Sequence, residues 1–150
     1  MSFFKEKITQ PLLNFLKQGV TPKKMALTLS LGLLFGIFPV IGTTTLICTA
    51  LALVFRLNMA IMQLANYLAY PLQIILLIPL MKFGTEIFSY DSLAFSLDQM
   101  LEMFKNDFWQ ALQTLGMSQL YAIFVWLILA FPLGIILYVV LFQLFKRFEK

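Results

Sequence analysis

The segment from Met25 to Phe55 is apolar on all sides and is interrupted once, at Gly36-Ile37-Phe38-Pro39-Val40-Ile41-Gly42-Thr43-Thr44-Thr45. A helix that is apolar all round belongs in hydrocarbon or a deep core, not at a water-facing surface. Pro39 has no N–H and cannot sit quietly inside a helix, and Gly36 and Gly42 flank it. Each arm holds about 14 residues, well short of the roughly 20 a helix needs to cross a bilayer. Together these features predict a re-entrant helical hairpin over 25–55, which dips into a membrane and returns to the same face.

Composition agrees with a membrane setting. Of 150 residues, 61% are hydrophobic and 12% charged, too much apolar surface for a water-soluble domain to hide. The predicted class is an all-α integral membrane protein, with residues 1–150 forming a single membrane domain. Histidine is absent and Cys48 is the only cysteine, which removes imidazole catalysis, histidine metal sites and an internal disulfide. No catalytic group, metal site or cofactor is expected, and no motif points to nucleic acid.

Two further stretches are predicted to cross as full transmembrane helices, 59–82 and 119–143. Leu120 to Phe142 carries no charge. Met59 to Leu80 is less uniform, with Gln63, Asn66, Tyr70, Pro71, Gln73 and Pro79. Pro71 is expected to kink it. Asn66, Tyr70 and Gln73 recur at about one-turn spacing and share a face that should turn towards the hairpin. Interfacial amphipathic helices are predicted at 3–18 and 92–115. In the first, Phe4, Ile8, Leu12, Phe15 and Leu16 form the apolar stripe. The second is expected to begin at Asp91-Ser92, to break near Asn106-Asp107 and to end at Gly116. Phe131-Pro132-Leu133-Gly134 reads as a second, milder break.

Within the hairpin, Thr21 is the expected N-cap, with Pro22 at the first helical position. Gly32 and Gly36 face small residues of the second arm (Thr45, Thr49, Ala52), so the two arms are expected to pack on each other. The second arm starts near Gly42, and Thr43, Thr44 and Thr45 are placed to cap it. That start puts a helix N-terminus, with free N–H groups, inside the membrane, a setting that suits an anion such as phosphate. The threonines serve either as caps alone or as part of a ligand site. Arg56 is either a topology anchor or a guanidinium that holds a phosphate headgroup. The candidate ligand-binding set is Gly42, Thr43, Thr44, Thr45, Arg56, Asn66, Tyr70 and Gln73. Gly36, Pro39, Gly42 and Pro71 form the structural breaks.

Charge parity orients the chain. Lysines cluster before Met25, Lys146, Arg147 and Lys150 lie at the far end, and acid dominates Glu86 to Asp107. A returning hairpin followed by two crossings puts both basic ends and Arg56 on one side, the cytoplasmic one by the positive-inside rule.

Several patterns carry a resemblance: Gln18-Gly19-x-x-Pro22, then Gly32-x-x-x-Gly36-x-x-Pro39-x-x-Gly42, then Arg56-x-Asn58 and the proline-centred stretch at Pro71. Over roughly 15–84 the chain resembles the bacterial membrane family named domain of unknown function twenty sixty-two. It departs from that family around Pro71, where Tyr70 and Gln73 occupy places usually held by asparagine and threonine. The resemblance implies a small helical protein of the bacterial inner membrane. Fusion of some members to family-two glycosyltransferases implies a link to lipid-linked sugars. The dipping hairpin is also similar, more weakly, to DedA-type proteins that move lipids.

The function expected is a small transporter or scramblase for a phosphate-bearing lipid or amphiphile of the cell envelope, multi-pass, with both termini cytoplasmic. The alternative is a non-catalytic anchor or assembly partner of a cell-envelope enzyme such as a glycosyltransferase. Expected partners are membrane lipids, a glycosyltransferase and further copies of the chain.

Overall fold

The computed structural model describes residues 20–89 and 97–148, together with Gln10 and Asn14. Apart from Gln10 and Asn14, the amphipathic helix expected at 3–18 lies outside the described residues, as does the cap expected at Asp91-Ser92.

Over the described residues from 20 to 148, five helices follow one another: α1 (Pro22–Gly36), α2 (Thr44–Val54), α3 (Met59–Ile87), α4 (Leu97–Asn106) and α5 (Phe108–Phe148). No strand occurs among the described residues. The starts of α1 and α3 follow local chemistry. Thr21 Oγ1 accepts the Lys24 N–H at 3.3 Å, with Pro22 behind it, and Asn58 Oδ1 accepts the Ile61 N–H at 3.0 Å. Such caps satisfy amides that the first turn leaves open.

At 29 and 41 residues, α3 and α5 are long and apolar enough to cross a membrane. Their outer faces carry exposed Leu68, Ile74, Ile75, Leu127, Ile128 and Phe131. By contrast, α1 and α2 have 15 and 11 residues, roughly 22 and 16 Å at 1.5 Å per residue.

Three clusters set the directions of the helices. Met25 and Ala26 meet Ile61 and Phe145 at one end. Leu34, Phe35 and Phe38 pack with Leu80, Met81 and Trp126 further along. Cys48 and Ala52 meet Met62, with Leu57 and Met59 beside them. Thus α1 runs parallel to α3, while α2 and α5 run antiparallel to it. The chain reverses between α1 and α2, and both ends of this pair lie level with the first turns of α3.

The charges sort with this arrangement. Among the described residues, Lys23, Lys24, Arg56, Lys146 and Arg147 gather at the end marked by Met25, Ile61 and Phe145, and no carboxylate joins them. Glu86, Asp98, Glu102 and Asp107, with Lys82 and Lys105, lie towards the other end.

Four expectations are corrected. First, the glycine step of α1 does not face the second arm. A Cβ on Gly32 would stand 2.7 Å from Ala65 Cβ and 2.8 Å from Met62 O, and one on Gly36 would stand 2.6 Å from Ala69 Cβ. The flat side of α1 is therefore used against α3, whose alanines let the backbones close.

Second, Gly116 stops no helix, so neither 92–115 nor 119–143 is a separate element. α5 begins at Phe108 and runs through Gly116, a position with open space around it. The break expected near Asn106-Asp107 is present and is the one that divides this stretch: Asp107 Oδ1 accepts the N–H groups of Trp109 (3.1 Å) and Gln110 (3.2 Å). A carboxylate cap outweighs one helical glycine, which costs about 1 kcal/mol.

Third, Pro132 makes no break, because α5 continues through it. Fourth, the predicted span 59–82 extends as helix to Ile87, with Pro71 and Pro79 inside it.

Candidate functional site

The site lies at the turn between α1 and α2 and along the seam that α2 forms with α3. After Gly36 the backbone leaves the helix, and Gly42 takes φ +89, a left-handed conformation that glycine adopts without Cβ strain. Pro39 is buried in this turn. Two carbonyls freed by the break are met by glutamines from different helices. Gln73 of α3 donates Nε2–H to Phe38 O at 2.6 Å, and Gln119 of α5 donates to Pro39 O. Gln73 is the middle residue of α3, so the turn sits halfway along that helix.

The threonines do not act as caps. Thr43 is the N-cap of α2 but makes no side-chain capping bond, because its hydroxyl donates to Val40 O at 3.0 Å. The first-turn amides of α2 are therefore uncapped by side chains. Thr44 Oγ1 is fully buried with no hydrogen-bond partner, although it lies beside the Tyr70 phenol. Thr45 turns to α3, where its hydroxyl shares a 3.2 Å bond with Tyr70 OH and accepts from Asn66 Nδ2 at 3.4 Å.

The seam continues from there along α2. Gln63 Nε2 donates to Thr45 O (3.1 Å) and Thr49 Oγ1 (2.9 Å), and its Oε1 accepts from Asn66 Nδ2 (3.1 Å). Asn66 is fully buried and its Oδ1 has no partner. Thr45, Thr49, Gln63 and Tyr70 are half-buried, and the exposed Tyr67 ring packs edge-on against Tyr70, 5.5 Å between centroids. The seam thus combines neutral donors and acceptors with half-buried side chains, and no charged group among the described residues belongs to it.

The candidate residues therefore divide. Thr44, Thr45, Asn66 and Tyr70 come together, Gln73 and Thr43 hold the turn, and Gly42 is its exposed pivot. Pro71 lies exposed inside α3. Arg56 stands apart at the other end of α2, exposed and with φ +52. Eleven helical steps from Thr45 put it roughly 16 Å away along the axis.

Sequence reasoning left Gln63, Thr49, Gln119 and Trp126 out of the candidate set. Gln63 carried a signal, since it lies three residues before Asn66 and seven before Tyr70, on the same face. Gln119 carried none, because its partner is a carbonyl 80 residues away. Trp126 is buried against Phe35 and Phe38, centroids 5.2 and 4.9 Å away, and its indole N–H has no acceptor.

These features define a class: an all-helical protein in which two long apolar helices brace a short, broken pair. The chain belongs to the bacterial family described as uncharacterized protein conserved in bacteria (DUF2062), whose model matches residues 5–150. No curated protein and no solved structure matches it.

Proposed function

We propose that this chain is an integral protein of the bacterial inner membrane that moves a phosphate-bearing lipid or amphiphile, as a small transporter or scramblase. In this reading α3 and α5 cross the bilayer, and α1 and α2 form a re-entrant hairpin whose turn reaches mid-depth. The basic end, with both termini, faces the cytoplasm, as the positive-inside bias favours. The exposed Leu101 and Phe104 of α4 rest in the opposite interface. No catalytic step is assigned.

The carrying observation is the seam itself. Polar side chains half-open to the surroundings are costly among lipid tails and mark substrate paths in membrane proteins. At its inner end lie an uncapped helix N-terminus and two unpartnered buried oxygens, Thr44 Oγ1 and Asn66 Oδ1. Half-helix ends of this kind receive anionic groups in transporters. Arg56 at the outer end attracts the phosphate.

The test is lipid movement in proteoliposomes with the purified full-length chain. Flux above protein-free vesicles is expected, with a several-fold loss in Thr45→Val and Tyr70→Phe and a smaller loss in Arg56→Ala. A rate equal to that of empty vesicles would end the transport reading.

One feature favours a second reading. Gln63, Asn66 and Thr49 bond mainly to one another and to Thr45, as a structural pin would. The chain would then be a non-catalytic anchor or assembly partner for a cell-envelope enzyme such as a glycosyltransferase, or would associate with copies of itself. Absent flux, together with stoichiometric recovery of one such enzyme, would establish it.

A further inference from the structure

Away from the polar seam, α3 and α5 frame a groove of about 470 Å³ that is lined by aliphatic side chains alone. Leu68, Leu72 and Leu76 form its α3 wall, on the face roughly opposite Gln63 and Tyr70 at 3.6 residues per turn. Leu133, Leu137 and Val140 form its α5 wall, and α1 supplies the floor at Leu34. Exposure grades along both walls. On α3, Leu64, Leu68 and Leu72 are exposed, Leu76 is half-buried and Leu80 is buried. On α5, Leu144, Val140 and Leu133 are exposed, while Ala130 and Trp126 are buried. Past the groove, away from the basic end, the walls close on each other through Leu80, Met81 and Val125. Towards the basic end, Ile61 and Phe145 pack with Met25 and Ala26 of α1, and Leu64 and Leu144 beside them stay exposed. The exposed Arg147 stands three residues after Leu144 and seven after Val140, so it continues the α5 wall about 10 Å beyond the groove.

We propose that this groove seats the tail of a glycerophospholipid with an anionic headgroup, the headgroup lying at the basic end beside Arg147. The site rests on one part of the proposed function, the placement of α3 and α5 across the bilayer, and holds whether or not the seam carries lipid. Gauge selects the occupant. From Leu68 to Leu76 the groove is roughly 12 Å long, so its mean section is about 40 Å², half that of a helix about 10 Å wide. An alkyl chain fits there and a packed helix does not. Depth agrees. Leu72 adjoins Gln73, midway along α3, and the hydrocarbon of one leaflet is about 15 Å thick. A phosphate at Arg147 therefore brings the end of its tail into the groove. Charge selects the headgroup, because Lys23, Lys24, Lys146 and Arg147 gather at that end with no carboxylate among the described residues. A tail coming from the other leaflet meets the closed end of the groove.

The experiment places a small diazirine amino acid either at Leu137, in the groove, or at Ile74, exposed on the far face of α3 at similar depth. The full chain is reconstituted into phosphatidylcholine vesicles holding a minor share of phosphatidylglycerol, irradiated, and its lipid adducts are identified by mass. At Leu137 phosphatidylglycerol should exceed its share of the vesicle lipid about fivefold, the factor that one arginine near a lipid surface supplies. At Ile74 it should match that share. Arg147→Gln should bring the Leu137 adduct down to the vesicle composition, and Arg147→Lys should keep most of the excess. Leu72→Trp, which fills the groove without touching charge, should lower the total lipid adduct at Leu137 several-fold. An unchanged Ile74 yield in that variant reports a folded, inserted chain. The same lipid composition at both positions, or a Leu137 yield indifferent to Leu72→Trp, overturns the proposal. Crosslinked dimers in place of lipid adduct at Leu137 overturn it too, and make the groove a seat for a second copy. Lipid adduct at neither position removes the membrane placement itself, and with it both readings. Flux measured on the same vesicles separates the rest, since a selective Leu137 adduct without flux removes transport and keeps the groove.

Discussion

The dipeptide Phe-Pro occurs twice in this chain with opposite results. Ahead of Phe38-Pro39 the helix has ended at Gly36, the backbone turns and α2 sets off antiparallel to α1; at Phe131-Pro132 the helix runs on to Phe148. Each proline removes one helical N–H and frees a carbonyl, and each has a glycine two or three residues later. The surroundings differ. Pro39 is buried, and the Phe38 and Pro39 carbonyls receive Gln73 and Gln119 from the two long helices. Pro132 is exposed, and the neighbour that a Cβ on Gly134 would meet is the tip of Leu34. Away from water, a chain can abandon its helix only where other groups take up the orphaned carbonyls. Proline permits the break, and the glutamines decide it.

The largest difference is expected at the glycines that flank the two sites. A Cβ on Gly36 would stand 2.6 Å from Ala69 Cβ and 3.0 Å from Asn66 O, whereas one on Gly134 meets Leu34 Cδ2 at 3.1 Å, the flexible end of a side chain. Gly36→Ala should cost about 1–3 kcal/mol by overpacking, and Gly36→Leu should leave little monodisperse protein. Gly134→Ala should be neutral, or stabilising by up to about 1 kcal/mol from helix propensity. Thermal unfolding in one detergent measures both. Similar losses at the two glycines would mean that the first break is not held by close packing on α3.

Removing the donors comes next. Gln73→Leu and Gln119→Leu each leave a buried carbonyl unpaired, so each should lose about 1–3 kcal/mol. Gln143→Leu, on an exposed face of α5, should change stability by less than about 0.5 kcal/mol. If Gln119→Leu matched Gln143→Leu, the turn would owe nothing to α5. The prolines themselves should part in the same sense. Pro39→Ala adds a buried N–H without an acceptor and destabilises, while Pro132→Ala restores a helical bond and gains a few tenths of a kcal/mol up to about 1.

These contrasts also show what the sequence could convey. Local chemistry was legible: the Thr21 cap, the break at Pro39, the helical run from Met59, and the face shared by Asn66, Tyr70 and Gln73 all follow from spacing and residue type. Partners were not. The Gly32–Gly36 step announces a close helix contact but not which helix, and α3 rather than α2 takes it. Three threonines at a helix start look like caps, yet Thr43 and Thr45 find acceptors and donors elsewhere, and only tertiary geometry reveals that. Gly116 and Pro132 look like stops because each is costly in a helix. Neither cost exceeds what a long apolar helix gains by staying intact, and no second element supplies bonds for an alternative. Gln119 shows the limit most clearly, since nothing within its own stretch marks it as the partner of Pro39.

The smallest effect concerns how the second arm ends. α2 closes with Arg56 at φ +52, its N–H reaching Leu53 O at 3.4 Å, and the Leu57 N–H reaching Ala52 O at 2.8 Å. This is the bonding of a Schellman cap, with arginine where glycine is usual, and Leu57 packs on Cys48, Ala52 and Met62 as that motif requires. An L-residue held in this conformation costs about 1 kcal/mol relative to glycine. Arg56→Gly should therefore raise stability by about that amount, whereas Arg56→Ala, which keeps the strain, should stay within about 0.3 kcal/mol of the parent. Both lose the guanidinium, so both should lose the same fraction of lipid flux. Equal stability of the two variants would show that the cap carries no strain. Flux retained in Arg56→Gly but lost in Arg56→Ala would show that position 56 acts through its backbone and not through its charge, which α5, running from its start to Phe148 without an interior stop, has no equivalent position to offer.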